Sequence, residues 1–149
     1  MSLDVDVSAD GIRSPLGKAR IVGVVQATLR SEKVRNALIS VTLVDKRAIA
    51  RLNKEHVGHA GPTDVISFGF TRSSPKDPVI GDIYICPAIA AENARAHGQS
   101  VRRELARLVV HGTLHVLGHD HPVGDDRESS PMWRRQERLV ARLTGASRA

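Results

Sequence analysis

Apolar and polar residues alternate at the start of the chain, where Leu3, Val5 and Val7 are separated by Asp4 and Asp6. A period of two sends successive side chains to opposite faces, so this stretch predicts a half-buried strand. The spacing then becomes helical: Ile21, Val24, Val25 and Leu29 recur at intervals of three and four after Leu16, and Pro15 is expected to open that helix in its first turn. Residues 37–44, ALISVTLV, read as a second strand ending at Asp45. Asp45 is a suitable N-cap for a helix running to about Glu55. A glycine-rich loop over 56–63, HVGHAGPT, leads into a short strand, DVISFGF, and SSPKDP forms a surface loop before a strand from Val79 to Ile85. Pro87 starts a helix that ends near Gly98. Ser100 caps the next, with Arg103 where a capping box would have Glu, and this helix continues to Gly118, a natural C-terminal residue. PVGDDRESSP is a polar loop, and Met132 to Leu143 make a last amphipathic helix. The order predicts an α+β fold, a small mixed sheet packed with helices. No repeat or linker interrupts it, so residues 1–149 are read as a single domain.

The most informative segment is HGTLHVLGHDHP, residues 111–122. His111 and His115 are four apart on a predicted helix, so both rings project from one face, roughly 6 Å apart along the axis. Two imidazoles so placed suit one tetrahedral metal ion. Four of the seven histidines fall within residues 111–121, which begin on a helix that reads LARLVVHGTLHVLG. Burying two unmatched imidazoles in such an apolar face would be costly, which favours a metal over ordinary core histidines. Gly118 lets the chain leave the helix and bring His121 back as a third ligand. His119 would take that place only if the helix continued. Asp120 is a candidate to orient a ligand, although an ordinary turn would also use it. The full spacing H-x-x-x-H-x-x-G-x-x-H matches the ligand spacing of the metzincin peptidases. Those peptidases place Glu directly after the first His as general base. Here that position is Gly112, which disfavours peptide hydrolysis while keeping an open zinc site suited to metal-assisted hydrolysis.

Composition narrows the partners. With 22 Lys and Arg against 16 Asp and Glu, the net charge is +6, which points toward polyanions, RNA first. Aromatics make up only 3% against 41% hydrophobic residues, so Val, Leu, Ile and Ala must fill the core. The single cysteine, Cys86, excludes an intrachain disulfide and reads as a small buried residue. The first eleven residues have no basic flank followed by an apolar run, and no stretch approaches the ~20 apolar residues of a membrane helix. The expectation is a cytoplasmic protein with no membrane contact.

The segment HGTLHVLGHDH resembles the signature HGxLHLLGYDH of the YbeY family of bacterial endoribonucleases. The likeness extends upstream through Leu52-Asn53, PTDVISF at 62–68 and GDIYIC at 81–86, and downstream to Met132 and Gln136, so it spans roughly residues 52–143. The resemblance implies a zincin-like α+β domain with one zinc ion, held by His111, His115 and His121. It also implies a single-strand-specific endoribonuclease that matures ribosomal RNA, chiefly the small-subunit 3′ end, and serves ribosome quality control. Many members carry an Arg five residues before the PTD proline and an Asp two residues before it. This chain has Val57 and Ala60 there, and it has Gly69 where the family motif has proline.

Thr63, Asp64 and Ser67 are candidates to line the substrate cleft, although a turn before a strand would use Thr63 and Asp64 equally well. Asp82 suits the start of a strand better than chemistry. Arg134, Arg138 and Arg142 stand at i, i+4 and i+8 as a basic stripe on the last helix. With Lys54, Arg72, Arg102 and Arg103 they are the candidates for RNA phosphate contacts; a solvated face would look the same. Two rival functions follow from the same residues. One is a zinc peptidase or amidase, which needs a carboxylate base near the metal. The other is a non-catalytic, zinc-containing ribosome assembly factor.

Overall fold

The computed structural model describes residues 1–9, 11–119 and 130–145. The elements run β1 (Leu3–Ser8), α1 (Lys18–Ser31), β2 (Ala37–Leu43), α2 (Lys46–Leu52), β3 (Val65–Gly69), β4 (Val79–Ile85), α3 (Pro87–Ala96), α4 (Val101–Val116) and α5 (Pro131–Thr144), with a π-helical turn, Asn53–Val57, continuing α2. The expected α+β class is borne out. The sheet has the order β1-β2-β4-β3; β1, β2 and β4 are parallel, and β3 is an antiparallel edge strand on β4.

Two sequence expectations need correction. Pro15 does not open α1: Ser14 Oγ accepts the Leu16 N–H at 3.2 Å and holds a local turn, so the helix waits for Gly17 as N-cap. The helix after Asp45 ends as an α-helix at Leu52 rather than at about Glu55, and it widens into the π turn, where Gly58 closes it at φ 82°. The caps themselves are as expected. Asp45 accepts the Ala48 N–H at 2.8 Å and Ser100 accepts the Arg103 N–H at 3.1 Å.

Strand alternation divides the sheet into two faces. Ala37, Ile39, Val41 and Leu43 of β2 and Val79, Ile83 and Ile85 of β4 are buried in the main core with α1, α4 and α5. On the other face Ile66, Phe68 and Tyr84 pack with Ile49 and Leu52 of α2 and with buried Cys86. Helix α4 is buried on nearly every side from Leu105 to Leu114, as expected of a central helix that is apolar all round.

The seat of α4 on the sheet is made by three glycines. A Cβ on Gly112 would lie 2.8 Å from Ile83 Cγ2 and 3.4 Å from Val65 Cγ2. A Cβ on Gly81 would lie 2.4 Å from Val116 Cγ1, and one on Gly69 would lie 2.7 Å from the Val116 carbonyl oxygen. Gly69 and Gly81 face each other across β3 and β4, so the last turn of α4 rests on a paired glycine notch.

Charged clusters tie the helices to one another. Arg107 of α4 binds Glu137 of α5 through Nε and Nη2 at 2.8 and 2.9 Å, and Glu104 through Nη1 at 2.8 Å. Glu32, just after α1, accepts from Arg135 at 2.8 Å and pairs with His119 at 2.5 Å. Burial works to raise the pKa of both Glu32 and Glu137. The hydrogen bonds and charges of their partners outweigh it and hold both below the ordinary 4.5.

Two predictions follow. Gly112→Ala should lower the unfolding free energy by about 1–3 kcal/mol through overpacking against Ile83, whereas Gly23→Ala, exposed on α1 with nothing near its Cβ, should raise it by about 0.4–1 kcal/mol; urea denaturation gives both signs. Because Glu32 and Glu137 have depressed pKa values, their contribution is present above pH 4.5 and is lost as pH falls through the folded values. Urea midpoints should therefore fall on acidification below that point, and less steeply for Glu137→Gln.

Candidate active site

His111 and His115 project from the second half of α4 with ring centroids 4.5 Å apart, edge to face. They line an open cleft of about 510 Å³ with Val65, Ile66 and Ser67 of the edge strand β3, the segment Pro62–Thr63–Asp64, and Asn53, Val57 and His59. His111 is only 7% exposed, and its Nδ1 lies 2.6 Å from Gln136 Oε1 on α5. Gln136 is itself 1% exposed and lies 3.0 Å from Glu137 Oε2 through its amide nitrogen. The arrangement is suited to a cation. Two imidazoles meet at one cleft wall, and the back of the first ring is braced by a hydrogen bond, as metal-bound histidines usually are.

The chain leaves α4 as the glycine suggested. Gly118 has φ 95°; its N–H donates to the His115 carbonyl at 2.9 Å, and the His119 N–H donates to the Leu114 carbonyl at 3.0 Å. These bonds close the last turn. His119 does not continue the His111–His115 row: its Nε2 is engaged with Glu32 beside α5. His121 and Asp120 lie outside the described residues.

The cleft candidates are gathered in one place, since Thr63, Asp64 and Ser67 all line it. Asp64 also has structural bonds. Its carboxylate accepts from Asn93 at 3.2 Å and its carbonyl accepts the Cys86 N–H at 3.0 Å. Asp82 accepts from Ser40 on β2 at 2.6 Å, a cross-strand contact away from the cleft. The seven basic candidates are not gathered. Lys54 is exposed on the π turn that borders the cleft, and Arg72 reaches back to its own loop carbonyls at 3.5 Å. Arg102 and Arg103 line a separate depression with Arg20 at the far end of α4. Arg134, Arg138 and Arg142 are exposed along α5, and Arg138 and Arg142 border a further depression beside Glu32.

Three residues of the site were given no role by the sequence reading, although two of them, Asn53 and Gln136, stand among the positions that carry the family resemblance. Gln136 binds His111 from 25 positions away, and no periodicity signals that. Asn53 is buried at the end of α2 and clamps the cleft loop. Its carbonyl accepts the His59 N–H at 3.3 Å, and its amide donates to the Gly61 carbonyl at 3.0 Å. His59, carried by that loop, lines the cleft; a histidine in a loop with Gly58 and Gly61 was a readable sign of it. Position 57, singled out by the missing arginine, also proves to line the cleft.

Comparison with known proteins agrees with this geometry. The family described as Endoribonuclease YbeY matches residues 9–144. The Endoribonuclease YbeY of Bacillus licheniformis is 37% identical, with 100% of this chain and 99% of the relative covered. That of Frankia casuarinae is 35% identical, with 95% and 75% covered. A solution structure of a Thermotoga maritima protein superposes with a TM-score of 0.62 at 27% identity, covering 97% of this chain and 91% of the other. An edge strand beside a helix that carries two histidines, and a sequence matched over nearly its whole length, lead to one assignment: the chain belongs to the YbeY family of endoribonucleases.

Proposed function

We propose that this endoribonuclease-family chain depends on one zinc ion per chain, held by His111, His115 and His121, and cleaves single-stranded ribosomal RNA. Its substrate on this reading is the small-subunit 3′ end, met in the cytoplasm during maturation and quality control of the ribosome, and its partner is RNA or the small ribosomal subunit. The observation that supports the reading best is the His111–His115 pair at the wall of a cleft bounded by β3. When bound, zinc supplies Lewis acidity toward a phosphoryl oxygen and lowers the pKa of water toward ~7.

The chain's own residues do the rest. Thr63 and Ser67 line the cleft and bring hydroxyls that can donate to phosphate oxygens, that of Thr63 lying 3.5 Å from Asp64 Oδ1, and Lys54 adds positive charge nearby. Asn53 holds the loop that brings His59 to the cleft. A flexible single strand can bend into such a groove, which agrees with the single-strand preference. A peptidase reading finds less support. The glutamate that would follow the first histidine has no room, since even a Cβ at 112 meets Ile83.

Purified protein should contain about one zinc per chain by elemental analysis. His115→Ala and His121→Ala should lose stoichiometric metal, and His119→Ala, whose ring is held by Glu32, should keep it. Full zinc in His115→Ala would sink the ligand assignment.

On one labelled RNA, wild type should cleave slowly, chelator should stop it, and His115→Ala should be inactive. Val57→Arg restores positive charge at the cleft wall and should raise the rate, toward the roughly hundredfold that one such group is commonly worth. Equal cleavage by wild type and His115→Ala would assign the nuclease to a contaminant and leave a non-catalytic assembly factor.

A further inference from the structure

We infer that Gln136 is a positioning residue that holds His111 protonated on Nδ1, so that Nε2 is presented as the metal-binding nitrogen. The inference rests on the zinc reading above.

Behind His111 stand Gln136, then Glu137, then Arg107. Arg107 grips both oxygens of Glu137, at 2.8 and 2.9 Å, and its remaining arm holds Glu104. The three side chains are 14%, 29% and 13% exposed, respectively. Such a bidentate pair keeps Glu137 ionised, and an ionised carboxylate only accepts hydrogen bonds. The 3.0 Å contact between Gln136 and Glu137 therefore runs from the amide Nε2–H to Oε2. That fixes which way round the amide sits: its oxygen must face the opposite direction, toward His111, at 2.6 Å from Nδ1. A carbonyl oxygen also only accepts, so His111 must donate from Nδ1. A neutral imidazole has one proton, and with it on Nδ1 the lone pair is left on Nε2.

The relay thus runs Glu104–Arg107–Glu137–Gln136–His111. Charge at one end sets the tautomer at the other. Gln136 is 1% exposed, so bulk water is poorly placed to replace it. Neutral histidine in water prefers the opposite tautomer, with the proton on Nε2, and that form would present no lone pair there. The amide works against this preference before any metal arrives. It also braces the ring, whose neighbour His115 stands 4.5 Å away, against rotation.

The test uses the full chain with 15N-labelled histidine. Long-range proton–nitrogen spectra of the metal-free protein should show His111 as the Nδ1–H form. Gln136→Met fills the same space without an acceptor and should lose that signature. Its zinc affinity, measured by competition with a chromophoric chelator, should weaken about 10–100-fold, with a thermal melt establishing that it is folded. Gln136→Glu keeps an acceptor facing Nδ1 and should retain the Nδ1–H form; it decides the matter if the Met variant does not fold, and loss of the form in Gln136→Glu would overturn the proposal. A folded Gln136→Met with wild-type tautomer and zinc affinity would overturn it as well, and would leave the zinc reading standing. Wild type that takes up no zinc would instead sink the metal reading, and with it the role claimed for Gln136, whatever the tautomer.

Discussion

The geometry of the site depends on how closely α4 can lie against the sheet. Backbone meets backbone at Gly69 and Val116, while the Val116 side chain rests directly on Gly81 and the Ile83 and Val65 side chains rest on Gly112. Protein interiors are close-packed, and a single methyl at such a contact forces a helix or strand to shift. The approach is local, confined to β3 and β4, and it sets the histidine-bearing half of α4 against the edge strand. His111 and His115 thereby share one cleft with Ser67 and Val65. A side chain at position 112 would lift this part of the helix off Ile83 and widen the cleft along its length. The same glycine that stands where a peptidase would carry its base is thus the residue that lets the metal-site candidates face a substrate groove.

A helix buried this deeply cannot carry imidazoles on an apolar face without partners, because an unsatisfied buried polar group costs on the order of 1–3 kcal/mol. The partner for His111 comes from α5, so the docking of α5 is part of the site. That docking has an apolar element, in Met132, Leu139 and Val140, and a charged one, in Arg107 and Glu137. The pairing of Glu32 with His119 and Arg135 does a related job at the end of α4, joining the chain after α1 to the exit of α4 and to α5. Stability and site geometry are in this sense carried by the same contacts.

How much of this could be read from the sequence divides along a physical line. Features encoded by local periodicity were legible: the alternation in β2 and β4, the apolar run of α4, the i, i+4 histidines, and the caps at Asp45 and Ser100. The turn at Gly118 was legible because only a residue at ease with positive φ ends a helix that way. Features made by distant residues were not. Nothing in the local pattern around Gln136 says that its amide meets His111, and nothing around Asn53 says that its side chain reaches Gly61. Pro15 misled because a proline is equally at home in a turn just before a helix. Charge was the weakest guide to location. The net +6 describes the whole chain, and among the described residues the arginines are spread over all five helices and over loops at Arg13, Arg35 and Arg72.

The distribution of charge bears on the chemistry. A cleft that handles a phosphodiester needs positive charge where negative charge grows, and the described walls supply little. Val57 is apolar, Asp64 is acidic and tied to Asn93, and Lys54 stands at the border rather than on the wall. A divalent cation between the histidines would therefore be the dominant positive charge of the groove, which is the condition under which the protonation of its ligands matters most. The glutamine relay meets that condition from behind, at a distance from the substrate. Its two carboxylates share Arg107 and the charge of Arg103 also reaches Glu137, while the group that touches His111 is a neutral amide, so the brace itself brings no negative charge to the ring. An aspartate or glutamate in direct contact with His111 would hold the same tautomer more strongly but would oppose an incoming phosphate. In a cleft this poor in cations, an amide backed by a compensated ion pair reconciles a fixed metal-facing nitrogen with an anionic substrate.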